Sequence, residues 1–270
     1  MAGVKVGKVD VLSFSDLRRG MPVREAFPAV AASEWERYAS LYPDGIAGGI
    51  MTGPVSAFVL RTPAETVLID MGIGPGPFPF FGGASGTLGQ ALNAAGIDPA
   101  AVDLVVFTHL HSDHTGWTIK DGKAFCSKAR HIAPEGDWPL LGQPRFGAVE
   151  PFQQLLNSGQ LELVSGERQV TREIGLIPTP GHTPGHQSVT IVSEGERGFI
   201  AGDLAVSPVS VEETDWAFAM DSEPDTAIRT RRAVMSRLEG EDGIVGFAHF
   251  PEPGLGRIVR ENGLRLFKSL

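Results

Sequence analysis

A short apolar stretch of this chain runs directly into a dense group of histidines and an aspartate. Residues 104–107 read Leu-Val-Val-Phe, a composition typical of a buried strand. His109 and His111 follow two positions apart, so extended backbone places both side chains on one face. Asp113 and His114 come where the chain must turn, and neighbours in a turn can point at two different centres. One tetrahedral ion cannot take all four groups from so short a segment, so the spacing predicts two metal ions.

Length and composition are those of an ordinary soluble globular chain. The 270 residues are 42% hydrophobic and 20% charged, and the net charge is −9. This charge, without a run of Lys or Arg, argues against a nucleic-acid partner. The most apolar window, Ile46 to Leu60, is interrupted by glycines and Pro54 and is too short to span a membrane. The first nine residues lack the apolar run of a signal peptide, which predicts a cytoplasmic location.

The apolar pattern predicts an alternation of strands and helices. An opening strand is expected over Val4–Phe14 and a helix over Ala26–Tyr42. A strand pair is expected over Val55–Leu60 and Thr66–Asp70, and a later helix over Pro224–Leu238. Polar candidates follow the strands, and in α/β folds ligands bind at that edge of the sheet.

Three further groups of residues are candidates for a functional role. Asp70 ends a strand, where it would either cap the next turn or orient a metal-bound histidine by accepting its hydrogen bond. His182 and His186 lie in a loop with two Pro-Gly pairs, and such a loop is rigid. A Gly/Pro-rich loop carries three phenylalanines that would line an apolar substrate pocket or a dimer contact. These are Phe78, Phe80 and Phe81.

Taken together, the motifs resemble those of the metallo-β-lactamase superfamily. The matching stretches are Thr66–Gly72, Asp98–Leu104, Thr108–Gly116, Thr179–Ser188, Gly202-Asp203 and His249. The resemblance covers most of the chain from about Val55 onward. It implies a single αββα sandwich domain over residues 1–270, in the α/β class, with two facing mixed sheets and helices on the outer faces. Residues 1–50 would form an N-terminal capping or dimerisation segment.

By motif position, the resemblance implies a centre of two divalent metal ions. His109, His111 and His182 would hold the first ion, Asp113, His114 and His249 the second, and Asp203 would bridge both. Asp113 would also be the catalytic residue that orients and shuttles a proton. His186 matches no ligand position and is expected beside the site in a supporting role. Zn2+ is the default metal, and Mn2+, Co2+ or Fe2+ suit the same donors.

One position departs from the pattern of the N-acyl homoserine lactone lactonases. Those enzymes carry a tyrosine three residues after the bridging aspartate, where it helps to hold the substrate carbonyl. Here that position is Val206, which is expected to line the substrate pocket. Tyr38 and Tyr42 are the only tyrosines of the chain, so a tyrosine donor would have to come from the N-terminal segment.

Within the superfamily, residues 179–188 resemble the quorum-quenching lactonases, and residues 215–232 and 245–257 resemble methyl parathion hydrolase. The resemblance implies a hydrolase in which a hydroxide shared by two metal ions opens a lactone or cleaves an aryl carboxylic ester. The substrate would be a small apolar molecule, and the relatives predict a homodimer. Two alternatives stay open. One is phosphotriester hydrolysis at the same site, and the other is a persulfide dioxygenase with one iron.

Overall fold

The computed structural model describes residues 2–79 and 82–270 of the chain. In chain order the strands are β1 (Ala2–Val6), β2 (Val9–Pro22), β3 (Ile46–Ala47), β4 (Ile50–Arg61), β5 (Thr66–Ile69), β6 (Leu104–Val106), β7 (Ile119–Lys120), β8 (Lys123–Ala124), β9 (Arg130–Pro134), β10 (Leu161–Val164), β11 (Arg168–Gln169), β12 (Ile174–Pro178), β13 (Gln187–Ser193), β14 (Glu196–Ile200), β15 (Ile244–Gly246), β16 (Leu255–Glu261) and β17 (Leu264–Ser269). The α-helices are α1 (Val23–Ala26), α2 (Trp35–Leu41), α3 (Leu88–Ala94), α4 (Ser112–Thr115), α5 (Val149–Asn157), α6 (Val209–Glu212) and α7 (Pro224–Glu241). No helix in these two ranges has the length and apolar character needed to cross a membrane.

The long strands form two sheets. The first has the order β1-β2-β4-β5-β6-β9-β10, with β3 paired to β4, and the second runs from β11 to β17 in sequence order. In the first sheet β5, β6, β9 and β10 are parallel and the other pairs are antiparallel. In the second sheet β14 and β15 are parallel. Parallel neighbours need crossover connections, and α3 and α7 lie in two of these.

Apolar side chains fill the spaces between four layers. One cluster, which includes Phe58 and Ile200, lies between the sheets. A second cluster packs Leu92 of α3 and Phe152 of α5 on the outer face of the first sheet. A third packs Met235 of α7 on the outer face of the second sheet. Both sheets are thus covered on both faces, and the predicted αββα sandwich is confirmed.

The N-terminal region differs from the sequence prediction in two places. The single strand predicted over Val4–Phe14 is a hairpin of β1 and β2, because the chain turns at Gly7 with a φ of +56°. The continuous helix predicted over Ala26–Tyr42 is wrong, since α1 ends at Ala26 and the next α-helix, α2, begins only at Trp35. Pro28 disfavours helical backbone at Phe27, whose φ of −135° ends α1.

The same region packs against the loop that follows β14. Phe27, Trp35 and Tyr38 form an apolar cluster with Val206 and Phe218. The N-terminal segment therefore supports side chains near the edge of the sandwich. Its role as a capping or dimerisation segment stays a prediction.

Five strands from the two sheets end at one edge of the sandwich. The polar side chains that follow β5, β6, β12, β14 and β15 are Asp70, His109, His182, Asp203 and His249. The loops at this edge contain little regular secondary structure but are closely packed. Each of these five side chains is less than 8% exposed. The fold therefore collects residues from positions 70 to 249 at one place.

Gly116, just after α4, is predicted to be the glycine that tolerates a methyl group least. A Cβ at this position would lie 1.9 Å from the backbone carbon of Ile73. We expect Gly116→Ala to lower the free energy of unfolding by about 3 kcal/mol, because two backbone segments must separate. Urea denaturation measures this change.

Gly240→Ala in α7 is the matched control, because its Cβ would meet no atom within 4 Å. Alanine favours helix more than glycine does, so this variant should gain about 0.5 kcal/mol. Equal free energies of unfolding for the two variants would contradict the packing argument at Gly116.

His131 is predicted to make the fold sensitive to acid. Burial lowers the pKa of this ring from 6.5 to about 4, against a smaller opposite effect of the Gln160 and Ala129 carbonyls. Between these pH values the unfolded chain binds more protons than the folded chain, so the free energy of unfolding decreases as the pH falls from 6.5 to 4. We expect His131→Leu to reduce this slope by up to about 1.4 kcal/mol per pH unit. Urea denaturation between pH 4 and 6.5 measures the slope for the wild type and for His131→Leu. Identical slopes for the two proteins would refute the prediction.

Candidate metal centre

The loop after β6 presents four of the predicted ligands. His109 Nε2 and His111 Nδ1 lie 3.0 Å apart, so both rings face one centre, as the extended spacing predicts. The single turn of α4 starts immediately after His111 and changes the direction of the next side chains. Asp113 and His114 thereby point toward a second centre, where His114 is fully buried and the Asp113 side chain is 13% exposed. The local backbone alone therefore directs His109 and His111 to one centre and Asp113 and His114 to another.

The loop after β12 brings His182 to the first centre. Its Nε2 lies 3.1 Å from His111 Nδ1. Gly181 has a φ of +132°, and a Cβ there would lie 2.2 Å from the backbone nitrogen of Ala227 in α7. Only glycine therefore allows the loop to approach α7 this closely.

Asp137 joins the two ligand-bearing loops, a function that sequence reasoning missed. Its carboxylate accepts hydrogen bonds from Thr183 Oγ1 at 2.8 Å and Gly185 N at 2.7 Å in one loop. It also accepts one from Leu110 N at 3.0 Å in the other loop. Burial raises the pKa of Asp137, and these hydrogen bonds partly offset the shift.

Asp203 lies between the two groups of ligands. Its Oδ2 is 3.3 Å from His182 Nε2 and 3.1 Å from His249 Nε2, and its Oδ1 is 3.4 Å from His114 Nε2. His249 Nε2 is also 3.7 Å from Asp113 Oδ2. Asp203 thus lies within 3.4 Å of histidines from both groups.

The donor atoms form overlapping clusters of a size that suits metal ions, with at most 4.8 Å between the atoms of a cluster. The clusters are His109–His111–His182, His109–His114–Asp203 and Asp113–His114–His249. Five of the buried donor atoms have no hydrogen-bond partner among the described residues. They are His111 Nε2, His114 Nε2, His249 Nε2, Asp113 Oδ2 and Asp203 Oδ1. Asp113 Oδ2 lies 2.9 Å from Arg19 Nη2 in an ion pair. Because a buried polar atom without a partner is costly, this donor set fits two cations.

The protonation states also suit metal binding. Burial, followed by the charge of His182, lowers the pKa of His111 to about 3. Burial likewise lowers the pKa of His109 well below its ordinary value. Burial raises the pKa of Asp203, but the charge of His249 and its neighbours outweighs this and holds the pKa well below its ordinary value. Neutral imidazole and ionised carboxylate are the forms that coordinate metals.

His114 is surrounded by three carboxylates. Its Nδ1 lies 2.8 Å from Asp70 Oδ2, and its Nε2 lies 3.4 Å from Asp203 Oδ1 and 4.0 Å from Asp113 Oδ1. Burial lowers the pKa of His114, but the charges of Asp203, Asp70 and Asp113 outweigh it and raise the pKa well above its ordinary value. The centre therefore holds an excess of negative charge that favours a cation.

Asp70 lies where a residue that orients a ligand histidine would lie. It accepts hydrogen bonds from Thr108 N at 2.7 Å and Thr108 Oγ1 at 2.8 Å, beside its contact with His114 Nδ1. Its φ of +60° is unusual for a residue with a side chain. Such strain is found where the surrounding contacts hold a functional group in place.

Asp221 orients His182 in the same way, and no signal in the sequence indicated it. Its Oδ1 lies 3.0 Å from His182 Nδ1, and its Oδ2 accepts a hydrogen bond from Arg231 Nη2 at 2.9 Å. Arg231 of α7 is itself 2% exposed and donates to the carbonyls of Leu204 and Trp216. The buried pair thereby connects α7, the ligand His182 and the loop after Asp203.

His186 supports the centre from behind. Its Nε2 accepts a hydrogen bond from the backbone N–H of Asp203 at 3.0 Å, and its Nδ1 donates to the Thr179 carbonyl at 3.0 Å. Burial, followed by the charge of His182, lowers the pKa of His186 to about 3. A neutral ring in this tautomer fixes the backbone that carries Asp203.

A cavity of about 290 Å3 opens above the donor atoms. Its apolar wall consists of Ile73, Phe218 and Met220, and the ring of Phe218 stacks on that of His182 with centroids 6.0 Å apart. A smaller cavity adjoins it and is lined in part by Val206. The two cavities share Phe218 and Arg19.

Of the three phenylalanines predicted for the pocket, the structure describes only Phe78. Phe78 is half-buried and its backbone pairs with Ala84, so the loop folds on itself, and Phe78 does not line either cavity. Phe80 and Phe81 lie outside the described residues. Tyr38 donates a hydrogen bond to Glu213 at 2.5 Å within the N-terminal cluster, away from both cavity walls.

Comparison with known proteins agrees with this geometry. An N-acyl homoserine lactonase of Bacillus sp. is 26% identical over 236 residues, which cover 82% of this chain and 88% of the relative. The solved structure of AidC, a dizinc quorum-quenching lactonase in complex with a homoserine product, has a TM-score of 0.85 at 19% identity and covers 100% of this chain and 97% of its own. The structure of AbOPH, a hydrolase in the beta-lactamase superfamily, has a TM-score of 0.86 at 23% identity, with 99% and 96% covered.

The two structural likenesses show a shared fold. The family model described as the Metallo-beta-lactamase superfamily matches residues 50–249. This range is well over half of the chain, and it contains the His-x-His-x-Asp-His motif, Asp203 and His249. The chain therefore belongs to the metallo-beta-lactamase superfamily.

Proposed function

We propose that this protein is a binuclear metal-dependent hydrolase that opens lactones. The observation that carries the proposal is the convergence of seven His and Asp side chains on one buried edge, with inward atoms that lack hydrogen-bond partners in the described ranges. The relatives support it, since one is named an N-acyl homoserine lactonase and AidC is described as a dizinc lactonase.

The proposed ligands are those that the motif positions imply. His109, His111 and His182 hold one ion, Asp113, His114 and His249 hold the other, and Asp203 lies between them. Zinc is the proposed metal, because imidazole and carboxylate donors suit it and AidC is a dizinc protein. Two bound divalent ions would supply Lewis acidity and lower the pKa of a water molecule toward neutrality.

Asp113 is the side chain proposed to handle the proton of the reaction. It lines the larger cavity and its side chain is 13% exposed, so it faces the space that a substrate would enter. Burial raises the pKa of Asp113, but the charges of Arg19, His114 and His249 outweigh it and hold the pKa below its ordinary value. An ionised carboxylate here accepts a proton from water and returns it to the leaving alkoxide.

The cavity favours a small substrate with an apolar part. Its volume of about 290 Å3 lies near the lower end of the range for ligand pockets, and Ile73, Phe218 and Met220 supply apolar contact. Val206 offers no hydroxyl to a substrate carbonyl, unlike the tyrosine of the lactonases. Because this departure concerns the specificity for homoserine lactones and not hydrolysis itself, the proposed substrates include aryl carboxylic esters as well as lactones.

The other functions are less well supported. Phosphotriester hydrolysis would use the same donors, so it is included as an activity to be measured. A one-iron dioxygenase would need only one set of ligands, whereas the donors here form clusters around two centres. Homodimerisation and a cytoplasmic location remain predictions from the sequence.

The proposal predicts that metal content and hydrolysis are lost together. The zinc-loaded chain should turn over an acyl homoserine lactone or dihydrocoumarin faster than methyl parathion and contain about two zinc ions per chain. Asp203→Asn should lower kcat/KM by at least about 100-fold and reduce the bound zinc, because the shared anionic ligand is lost. Elemental analysis and initial rates on this panel measure both effects. Full activity in Asp203→Asn, or no turnover of any substrate by the loaded wild type, would overturn the proposal.

A second prediction concerns the orientation of His182. Asp221→Asn should weaken zinc affinity about 10- to 100-fold, because the hydrogen bond that fixes the ring loses its charge. Competition with a chromophoric chelator measures the affinity. Asp215→Asn is the control, since Asp215 is exposed and pairs with Arg232 at the surface. If both variants bound zinc equally well, Asp221 would not be a positioning residue.

A further inference from the structure

Two arginines line the larger cavity. Arg19 extends from β2, and its Nη2 lies 2.9 Å from Asp113 Oδ2 with 27% of the side chain exposed. Arg145 lies in the loop before α5, close to His111 and Ser112 in the cavity wall. Both guanidinium groups thus border the space in which a substrate would approach the metal centre.

The position of Arg145 is held by its backbone. Its φ of +76° is strained for a residue with a side chain. The loop keeps this conformation because Ser112 N donates to the Arg145 carbonyl at 2.8 Å, and Phe146 forms a β-bridge with His111. Arg145 Nη1 then donates to the carbonyl of Met220, another residue of the cavity lining, at 3.2 Å. The loop that carries His111 therefore fixes the position of the Arg145 guanidinium group.

Among the described residues of the cavity lining, Arg145 has no acidic partner, whereas Arg19 is paired with Asp113. Asp113 and Asp203 are the acidic side chains in the described lining, and both belong to the proposed metal centre. No carboxylate in residues 2–79 and 82–270 forms an ion pair with Arg145, and the Met220 carbonyl occupies one of its five N–H donors. Within these ranges, the exposed guanidinium of Arg145 is thus an unpaired positive charge at the cavity wall in a chain whose net charge is −9.

We propose that Arg145 selects substrates that carry a carboxylate near the bond to be cleaved. The inference rests on the proposed lactone hydrolysis and names its substrate class as an anionic lactone. A guanidinium group presents two parallel donors that match the two oxygens of a carboxylate. A neutral lactone of the same shape would leave these donors without that partner.

Paraconate, a γ-butyrolactone with a ring carboxylate, and its uncharged carboxamide provide a matched pair of substrates. The zinc-loaded wild type should hydrolyse paraconate with a kcat/KM about tenfold higher than that of the carboxamide. Arg145→Gln should remove about tenfold of this preference, mainly through the KM of paraconate. Raising the salt concentration should also reduce the preference of the wild type, because the guanidinium is exposed.

Arg18→Gln is the control variant. Arg18 is the neighbour of Arg19 on β2, is exposed, and lies 3.7 Å from the exposed Glu252. It points to the other face of the strand, so its loss should leave the preference unchanged. Equal hydrolysis of both lactones by the wild type, or an unchanged preference in Arg145→Gln, would overturn the role of Arg145. Neither result would contradict the proposed lactone hydrolysis.

Binding of the ring-opened product separates the two proposals. Calorimetry should show hydroxymethylsuccinate binding about tenfold more weakly to zinc-loaded Arg145→Gln than to the wild type. If neither lactone is hydrolysed but this difference is found, the proposed function fails while Arg145 still recognises a carboxylate. Equal product affinity in both proteins would refute the role of Arg145 without any measurement of turnover.

Discussion

The burial of several carboxylates around a few histidines is the physical constraint on which this structure depends. Asp70, Asp113 and Asp203 all lie close to His114, in a region from which water is largely excluded. Bringing such charges into the interior costs several kcal/mol for each ion unless cations or hydrogen bonds compensate. The sandwich meets this constraint by ending strands of both sheets at one edge. Donors from distant parts of the chain are thereby held around two centres.

Buried carboxylates outside the centre hold the loops that carry it. Asp16 accepts hydrogen bonds from Ile73 N at 2.7 Å, Leu88 N at 2.6 Å and Trp117 Nε1 at 3.1 Å. Burial raises the pKa of Asp16, and these hydrogen bonds lower it in part. Asp137 performs the same function between the loops of Leu110 and Thr183. Backbone segments without regular structure are thus fixed by side chains. This fixes the positions of the metal-ligand side chains that these segments carry.

The cavity combines an apolar wall with positive charge at its entrance. In a chain of net charge −9, Arg145, unpaired among the described residues, would attract an anionic substrate toward a centre that can bind cations. Arg19 lies next to Asp113, so the same region that would receive the substrate affects the proposed proton carrier. The substitution of Val206 for a tyrosine and the placement of Arg145 are consistent with a substrate that differs from an uncharged acyl homoserine lactone.

The αββα class was implied only by the family resemblance. The sequence by itself determined the alternation of strands and helices and the two-directional cluster from His109 to His114. These follow from local periodicity, because an extended segment and one helical turn set where neighbouring side chains point. Asp203 and His249 came only from resemblance to a family, since no local spacing relates residues so far apart. Tertiary structure alone decided that Asp221 meets His182, and that Arg145 rather than Phe78 borders the cavity. Such contacts depend on how loops pack against α7 and against each other. The periodicity of the sequence carries no information about that packing.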